Sequence, residues 1–378
     1  METKRLKWMR MAAALVCGGM AFAAQAWVVG QVAPLSGGSA VQGRAYAQGM
    51  RLYFEQVNKA GGVQGQPMEL VTLDDASHPD ETVSKTRQLL EESKPLVLAG
   101  YFGNRNLSAL LDSKLLDRHQ IALVGYQSTD TQVLAAPRIF STRASLPEEM
   151  GKIASHLAAV GVTRLALVHD ERPDAKALTE LVQKATEAAG AKLVTSVMLV
   201  QGKGANDKVV EQVQAVKPAP QVLLVVASSP VTAAFVETYR LAGGTAQVYA
   251  NSEADIEQLA KRLPVEYLSG LSIAQVVPSP YKVSGRLSKE FRDAVAAAGS
   301  SLQVPVSHVM MEGYVNARVL VEALRRSPQP TRDKLVTALK SLDSLDLGGY
   351  WIGFASGSQT GSRFVDLSIV NASGRVTQ

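Results

Sequence analysis

The chain has 378 residues, with 39 lysines and arginines against 34 aspartates and glutamates, and it contains one cysteine. This length is enough for a large hydrophobic core and predicts two domains. Because Cys17 is the only cysteine, no disulfide can form within the chain and no cysteine metal site is possible. Residues 1–26 carry four basic side chains and one acidic side chain, so the net charge of +5 falls to +2 without them. A charge of that size removes the main support for nucleic-acid binding.

The first 26 residues have the pattern of an export signal. Four basic residues precede an apolar core from Met11 to Ala23, which is too short to span a bilayer. Ala24-Gln25-Ala26 then matches an A-x-A cleavage site. A membrane anchor is the alternative, but no later segment is long and apolar enough to indicate a membrane protein. We therefore expect cleavage after Ala26 and a mature protein in the periplasm.

The segment from Val28 to Ala76 predicts a β-strand, a helix and a second β-strand. A short apolar strand ends at Pro34, and a glycine-rich turn that includes Gly43 leads into an amphipathic helix from Arg44 to Ala60. Gly61-Gly62 ends that helix, and the next strand closes at Asp74-Asp75, where a loop-fixing role is commoner than metal or acid–base chemistry. This βαβ order predicts a parallel sheet that binds ligands at the carboxyl ends of its strands.

The alternation of strands and helices continues and forms two successive series. The first series ends near Phe140, and Ser145 with Glu148 predicts a capping box that begins the first helix of the second series. The second series runs to Ala250, and a strand, three helices and two closing strands follow it. The fold class is therefore predicted as α/β, with two doubly wound parallel-sheet lobes.

A family resemblance is carried by VNKAGGVQGQPMELVTLDDAS at 57–77, which follows VAPLSG at 32–37. Its most specific part is the spacing of the two glycines, a third glycine and the two aspartates. The chain resembles the type I periplasmic solute-binding proteins, and within them the leucine/isoleucine/valine-binding protein family that serves ATP-driven importers. The resemblance implies two lobes joined by a hinge that the chain crosses three times. It also implies a monomer.

By this analogy the chain divides into a signal peptide and two discontinuous lobes. The signal peptide is 1–26, the N-lobe is 27–142 plus 275–343, and the C-lobe is 143–274 plus 344–378. The parallel-sheet rule nominates six loops that would face each other across a cleft. These loops are 35–43, 100–106 and 125–130 in the N-lobe, and 169–174, 227–230 and 251–255 in the C-lobe.

The first candidate ligand contacts are Asn104, Arg105 and Asn106, which are predicted to precede a helix. Free N–H groups at a helix start, together with amide side chains, can hold a carboxylate. The alternative is an ordinary N-cap in which an asparagine satisfies those N–H groups. The resemblance implies that this segment binds the α-carboxylate of the ligand. Arg105 could add a two-pronged ion pair or could face water.

The next candidates follow the predicted strand that ends at Gly125. The resemblance places carboxylate-binding groups in this loop, where Tyr126, Ser128 and Thr129 lie. An ordinary turn is the alternative. The resemblance also implies that Gln42 packs against the ligand, and its polarity points away from a purely aliphatic pocket.

The C-lobe candidates are Asp174, Ser228, Ser252 and Glu253. The resembled family has aromatic residues where this chain has Asp174 and Ser228, and a glutamate for the ligand's ammonium near Ser252. Glu253 could take that role with a shift of one residue, or both acids could lie on a solvated rim. These departures weaken the case for leucine or valine as the ligand, and we expect a more polar or differently shaped solute.

No nucleotide-binding glycine motif, nucleophile elbow or metal-ligand spacing of histidines is present. We therefore expect no enzyme activity, no metal and no cofactor. The predicted function is delivery of a small amino acid or a related carboxylate or amide to the membrane permease of an ABC importer. The alternative is a periplasmic ligand sensor that reports to a signalling receptor.

Overall fold

The computed structural model describes residues 25–199, 204–354, 359–371 and 376–377. The predicted export signal therefore lies outside the described residues except for its last two positions. Within the described part of the chain, no helix is long and apolar enough to cross a membrane.

The first lobe is built on a five-stranded sheet whose paired strands are all parallel. Its strand order is β2-β1-β3-β4-β5. The strands are β1 (Trp27–Ala33), β2 (Met68–Asp74), β3 (Val97–Phe102), β4 (Leu123–Gln127) and β5 (Ile139–Phe140). The connecting helices are α1 (Ala40–Lys59), α2 (Pro79–Glu92), α3 (Asn104–Asp112), α4 (Leu115–Arg118) and α5 (Thr131–Leu134). Separate apolar clusters cover the two faces of this sheet, as the doubly wound prediction requires.

Helix α1 begins at Ala40 and not at the predicted Arg44. Gly43 is therefore inside the helix, where an added Cβ would lie 2.0 Å from the carbonyl oxygen of Pro34. The position requires close backbone approach and not the turn conformation that was predicted. The predicted glycine stop is confirmed, since Gly61 and Gly62 have φ angles of 96° and 78°.

The second lobe contains a seven-stranded mixed sheet of order β14-β13-β10-β9-β8-β6-β7. Five of its strands pair in parallel: β6 (Arg164–Asp170), β7 (Lys192–Leu199), β8 (Val222–Val226), β9 (Gln247–Ala250) and β10 (Leu271–Gln275). The other two strands are β13 (Asp366–Val370), which pairs antiparallel with β10, and the edge strand β14 (Val376–Thr377), which pairs antiparallel with β13. Its helices are α6 (Leu146–Ala159), α7 (Ala175–Ala188), α8 (Ala205–Ala215), α9 (Ser229–Leu241), α10 (Ile256–Arg262) and α11 (Val265–Leu268). The predicted capping box at Ser145 and Glu148 is confirmed at the start of α6.

After β10 the chain returns to the first lobe through α12 (Arg286–Ala298), α13 (His308–Arg325) and α14 (Arg332–Lys340). Helices α1 and α13 approach closely because glycines lie at their contact. A Cβ at Gly49 would be 1.9 Å from the Met310 carbonyl oxygen, and one at Gly313 would be 2.1 Å from that of Tyr46. A small hairpin of β11 (Leu345–Asp346) and β12 (Trp351–Ile352) follows α14.

This hairpin bears on where the chain last crosses between lobes. Leu347, Ile352 and Phe354 belong to the apolar cluster of the first lobe, whereas β13 pairs in the second sheet. Ser141 lies in the first crossing, which is the segment between β5 and α6, and it pairs with Thr360 through a parallel bridge. We therefore propose that the last crossing lies between Phe354 and Asp366, later than the predicted 343. The other lobe boundaries stay predictions.

Candidate functional site

A cavity of about 590 Å³ lies between the two lobes. In the first lobe, the wall of the cavity is formed by the β1–α1 connection, the start of α3 and the end of β4. In the second lobe, it is formed by the ends of β6 and β7, the starts of α8 and α9, and the loop after β9. These are the carboxyl ends of parallel strands in both sheets, where a doubly wound fold places its ligand site. The volume is within the usual range for small-molecule pockets.

Six of the predicted contact residues line this cavity, namely Gln42, Asn104, Arg105, Asn106, Ser228 and Glu253. Gln42 lies in the first turn of α1, and its amide nitrogen donates across the cleft to the Ser229 hydroxyl at 3.1 Å. The other five predicted residues, Tyr126, Ser128, Thr129, Asp174 and Ser252, are not part of its lining. Whether any of the eleven contacts a ligand stays a prediction.

Asn104, Arg105 and Asn106 form the first turn of α3, whereas the sequence predicted that they precede the helix. Gly103 before them has a φ of 91°, a conformation that favours glycine. Asn106 is buried, and its amide nitrogen donates to Asp75 at 3.1 Å and to the Thr82 hydroxyl at 2.8 Å. Asn106 therefore holds α3 against the loop after β2 and does not cap its own helix.

Asp74 and Asp75 have the loop-fixing role that their position predicts. Asp74 accepts hydrogen bonds from the backbone N–H groups of Leu35, Ser36 and Ala76. These bonds hold the β1–α1 connection, which forms part of the cavity wall. The pKa of Asp75 is raised because the carboxyl group is buried, although the hydrogen bond from Thr82 opposes that shift.

Ser128 and Thr129 are engaged by protein groups. The side-chain oxygen of Asn104 accepts from the Ser128 hydroxyl at 2.6 Å and from the Thr129 N–H at 3.0 Å. The Arg172 guanidinium donates to the Thr129 hydroxyl and carbonyl oxygen, each at 3.2 Å. Since Arg172 belongs to the second lobe, this contact joins the two lobes.

Arg172 is a site residue that the sequence analysis missed. Its Nε donates to one oxygen of Asp174 at 2.5 Å and its Nη2 to the other at 3.1 Å, in a two-pronged pair. The Arg172 side chain is completely shielded from solvent. Asp174 therefore orients a buried arginine. The arginine two positions before Asp174 in a nominated loop was the available signal.

Ser252 belongs to a second buried polar group, centred on Arg143 in the first crossing. Its N–H and hydroxyl donate to the two oxygens of Glu149, at 2.7 and 2.6 Å, and its hydroxyl oxygen accepts from Arg143. Arg143 also donates to Gln127 and pairs with Glu149 at 3.5 Å and with Glu312 at 3.6 Å. Burial raises the pKa of Glu149 to about 7, although Arg143 opposes the shift. Ser252 thus connects the second lobe to the hinge.

Tyr126 lies inside the first lobe and is 1% exposed. It belongs to the apolar cluster on the α2–α3 side of the sheet. Because successive side chains of a strand point to opposite faces of the sheet, Tyr126 and Gln127 lie on opposite faces. The structure gives no support for a contact between Tyr126 and a ligand.

At the edge of the cleft, Glu257 of α10 meets the start of α13 in the opposite lobe. One Glu257 oxygen accepts from the His308 N–H at 3.1 Å, contacts His308 Nδ1 at 2.7 Å, and accepts from the Tyr281 hydroxyl at 2.5 Å. Burial opposes ionisation of Glu257, but the hydrogen bond and charge of His308 outweigh it and lower the pKa of Glu257 to about 2. These hydrogen bonds form a further contact between the lobes.

Comparison with known proteins agrees with this architecture. The family model described as periplasmic binding protein matches residues 26–371. An "Amino acid binding protein" of Pseudomonas aeruginosa is 25% identical over 191 residues, which is 50% of each chain. A "Leucine-, isoleucine-, valine-, threonine-, and alanine-binding protein" of the same organism is 26% identical over 213 residues, 54% of each chain. The chain thus spans about half the length of the curated relatives it matches.

Among solved structures, a substrate-binding periplasmic protein of Ralstonia solanacearum is similar over nearly its whole length. It is 32% identical, covers 93% of this chain and 99% of its own, and superimposes with a TM-score of 0.84.

Proposed function

Because the chain belongs to the periplasmic binding protein family, of the leucine/isoleucine/valine-binding type, we propose that it delivers a small amino acid or a related carboxylate or amide to the membrane permease of an ABC importer. The observation that carries the proposal is the cavity between the lobes, with walls built from the carboxyl ends of both parallel sheets. The amino-acid ligands in the names of the relatives support the solute class.

In this proposal the ligand acts by shifting a population. A solute that contacts both lobes binds the closed form better than the open form, and it stabilises closure by that difference in affinity. Asn104 and Arg105, at the N-terminus of α3, would hold a carboxylate, because free N–H groups and a guanidinium both favour an anion. Gln42, Asn106, Ser228 and Glu253 would contact the rest of the solute.

The remaining predicted residues would act through their neighbours. Ser128 and Thr129 would hold Asn104 in position, Asp174 would orient Arg172, and Ser252 would join the second lobe to the hinge. The family is a solute-binding family and not a family of enzymes. We further propose cleavage after Ala26, a periplasmic monomer, and no catalysis.

Thermal unfolding of residues 27–378 against a panel of amino acids, amides and carboxylic acids tests the proposal. A ligand at about a hundred times its dissociation constant adds about 2.7 kcal/mol to the free energy of unfolding. Small-angle scattering should show a smaller radius of gyration with the same ligand. Arg105→Ala should reduce the shift, whereas Arg87→Ala, on the exposed face of α2, should leave it unchanged. A folded protein that no member of the panel stabilises would refute this function.

A further inference from the structure

We propose that Arg172 is a cross-lobe latch, a positioning residue that stabilises the closed form through bonds that involve no ligand. The inference rests on the proposed solute-binding function, in which the closed form binds the solute. Arg172 would then set the affinity of the cleft for every solute by one common factor. It lies in the loop between β6 and α7 of the second lobe, and it donates to the hydroxyl and carbonyl oxygens of Thr129 in the first lobe, each at 3.2 Å.

The guanidinium is held in place by its own lobe. Its Nε and Nη2 donate to the two oxygens of Asp174 at 2.5 and 3.1 Å, and Asp174 directly precedes α7. Because the planar fork is already fixed by this pair, little side-chain freedom is lost when it also meets Thr129. Burial opposes the charge of Arg172, but the hydrogen bond to Asp174 and the neighbouring carboxylates outweigh it, so the pKa of Arg172 is raised. The donor is therefore charged at neutral pH.

The acceptor is also held by its own lobe. The Thr129 N–H donates to the Asn104 side-chain oxygen at 3.0 Å, and the Ser108 hydroxyl donates to Asp130 at 2.9 Å. Both bonds attach the loop after β4 to α3. Thr129 is 3% exposed and the Arg172 side chain is completely shielded, so the bonds between them form away from water. A motion that separates the lobes must break both bonds and hydrate both groups.

This contact lies outside the cavity lining. Arg172, Asp174 and Thr129 do not line the cavity, so a solute can occupy it without displacing their bonds. Gln42 also reaches across the cleft, to Ser229, but it lines the cavity, where a solute can compete for its amide. The latch therefore contributes to closure whichever solute binds. Because the apparent dissociation constant is the intrinsic one divided by the closed fraction, loss of the latch should weaken all solutes equally.

Three variants separate the latch from a merely structural role. Arg172→Lys keeps a positive charge beside Asp174 but removes the fork that also reaches Thr129. Thr129→Val is milder, since it removes the hydroxyl acceptor and retains the backbone carbonyl. Arg240→Met is the matched control, because Arg240 is a partly buried arginine that donates to carbonyl oxygens of its own lobe, at 2.8 and 3.0 Å.

Spin labels measure the separation of the lobes without any ligand. Residues 27–378 contain no cysteine, so Glu91→Cys on α2 and Lys184→Cys on α7, both exposed, place one label on each lobe. In this background Arg172→Lys should enlarge a second distance population and raise the radius of gyration in small-angle scattering. The ratio of open to closed forms should rise about ten- to a hundredfold, as expected for hydrogen bonds from a charged donor. Thr129→Val should give a smaller change in the same direction.

Arg240→Met should leave the distances unchanged even where it lowers the thermal midpoint. Unchanged ligand-free distances in both Arg172→Lys and Thr129→Val would overturn the latch and leave the solute-binding function intact. The same change of distances in Arg240→Met would also overturn it, because any loss of stability in the second lobe would then suffice.

Calorimetry gives a second readout, with L-leucine, L-glutamine and L-glutamate as probes. For those that bind the unaltered protein, Arg172→Lys should raise each dissociation constant by the same factor, up to about a hundredfold, and leave their ratios unchanged. A changed ratio would mean that Arg172 selects among solutes and would overturn the latch. If none of the three binds, the solute-binding proposal loses support, and the ligand-free distances alone support or overturn the latch.

Discussion

Replacement of Arg143 by methionine keeps much of the side-chain volume but removes the charge at the centre of the hinge. Arg143 is 3% exposed and is bonded to Gln127 and Ser252, with Glu149 and Glu312 as its acidic partners. The variant leaves two buried carboxylates without their cation. Removal of one partner from a buried pair costs about 3–5 kcal/mol, and we expect a loss of that size in the free energy of unfolding.

The loss should depend on pH, and its sign follows from Glu149. Its folded pKa, about 7, is already above the value of about 4.5 for an unperturbed glutamate. A carboxyl group whose pKa is raised on folding destabilises the fold as pH rises through the interval between the two values. Without Arg143 that pKa rises further. The variant should therefore be closer to the unaltered protein at about pH 5 than at about pH 8.

Urea unfolding at the two pH values measures the effect. Arg143→Met combined with Glu149→Gln should recover part of the loss at about pH 8, because one buried charge is removed. Arg138→Met is the control, since Arg138 is partly exposed and pairs with Asp333 at 3.5 Å. It should cost less than about 1 kcal/mol. A loss for Arg143→Met that is equally small, or one that is identical at both pH values, would refute the reasoning.

Three further predictions concern the packing and the contacts between lobes. Glu257→Gln should reduce the loss of thermal stability between about pH 4.5 and pH 2. The lowered pKa of Glu257 beside His308 stabilises the fold above that interval, and this stabilisation is lost as pH falls through it. An unchanged acid profile would contradict this. Gly49→Ala should lower the free energy of unfolding in urea by about 1–3 kcal/mol, because the added Cβ would overlap the backbone of α13. Gly151→Ala, which has open space around it in α6, should leave stability unchanged or raise it, and similar effects at both sites would contradict this. Asn106→Ala should lower the free energy of unfolding by about 1–3 kcal/mol and should raise the pKa of Asp75, which loses a hydrogen bond from Asn106. NMR titration measures that pKa, and an unchanged value would contradict the role of the hydrogen bond.

The architecture was largely predictable because it depends on local patterns. Alternating apolar strands and amphipathic helices predicted two α/β series, and the structure has a parallel sheet in the first lobe and five parallel strands in the mixed sheet of the second. Predictions from short-range signals, such as the Ser145–Glu148 capping box, were also confirmed. The predicted start of α1 was wrong because Gly43 was assigned to a turn on the ground that glycine is conformationally free. Its actual role, the close approach of Pro34, depends on how the strand and the helix pack.

The sequence predicted which loops contribute to the candidate site better than it predicted which side chains line it. All six loops selected by the rule for parallel sheets contribute to the cavity, and six nominated side chains line it, but the end of β7 and the start of α8 also line it and were not selected. Tyr126, Ser128 and Thr129 belong to a nominated loop, but strand alternation buries the first, and Asn104 and Arg172 engage the other two.

The sequence by itself determined the order of the elements and the loops at the strand ends, because both follow from the spacing of apolar residues, glycines and caps. Only the tertiary structure decided which charges are buried and paired. Arg143 meets Ser252, 109 positions away, and Gln127 meets Glu312, 185 positions away. Charges that look solvated in the sequence become buried only when partners from distant segments surround them. That pairing depends on how segments far apart in the sequence pack together, and no local pattern encodes it.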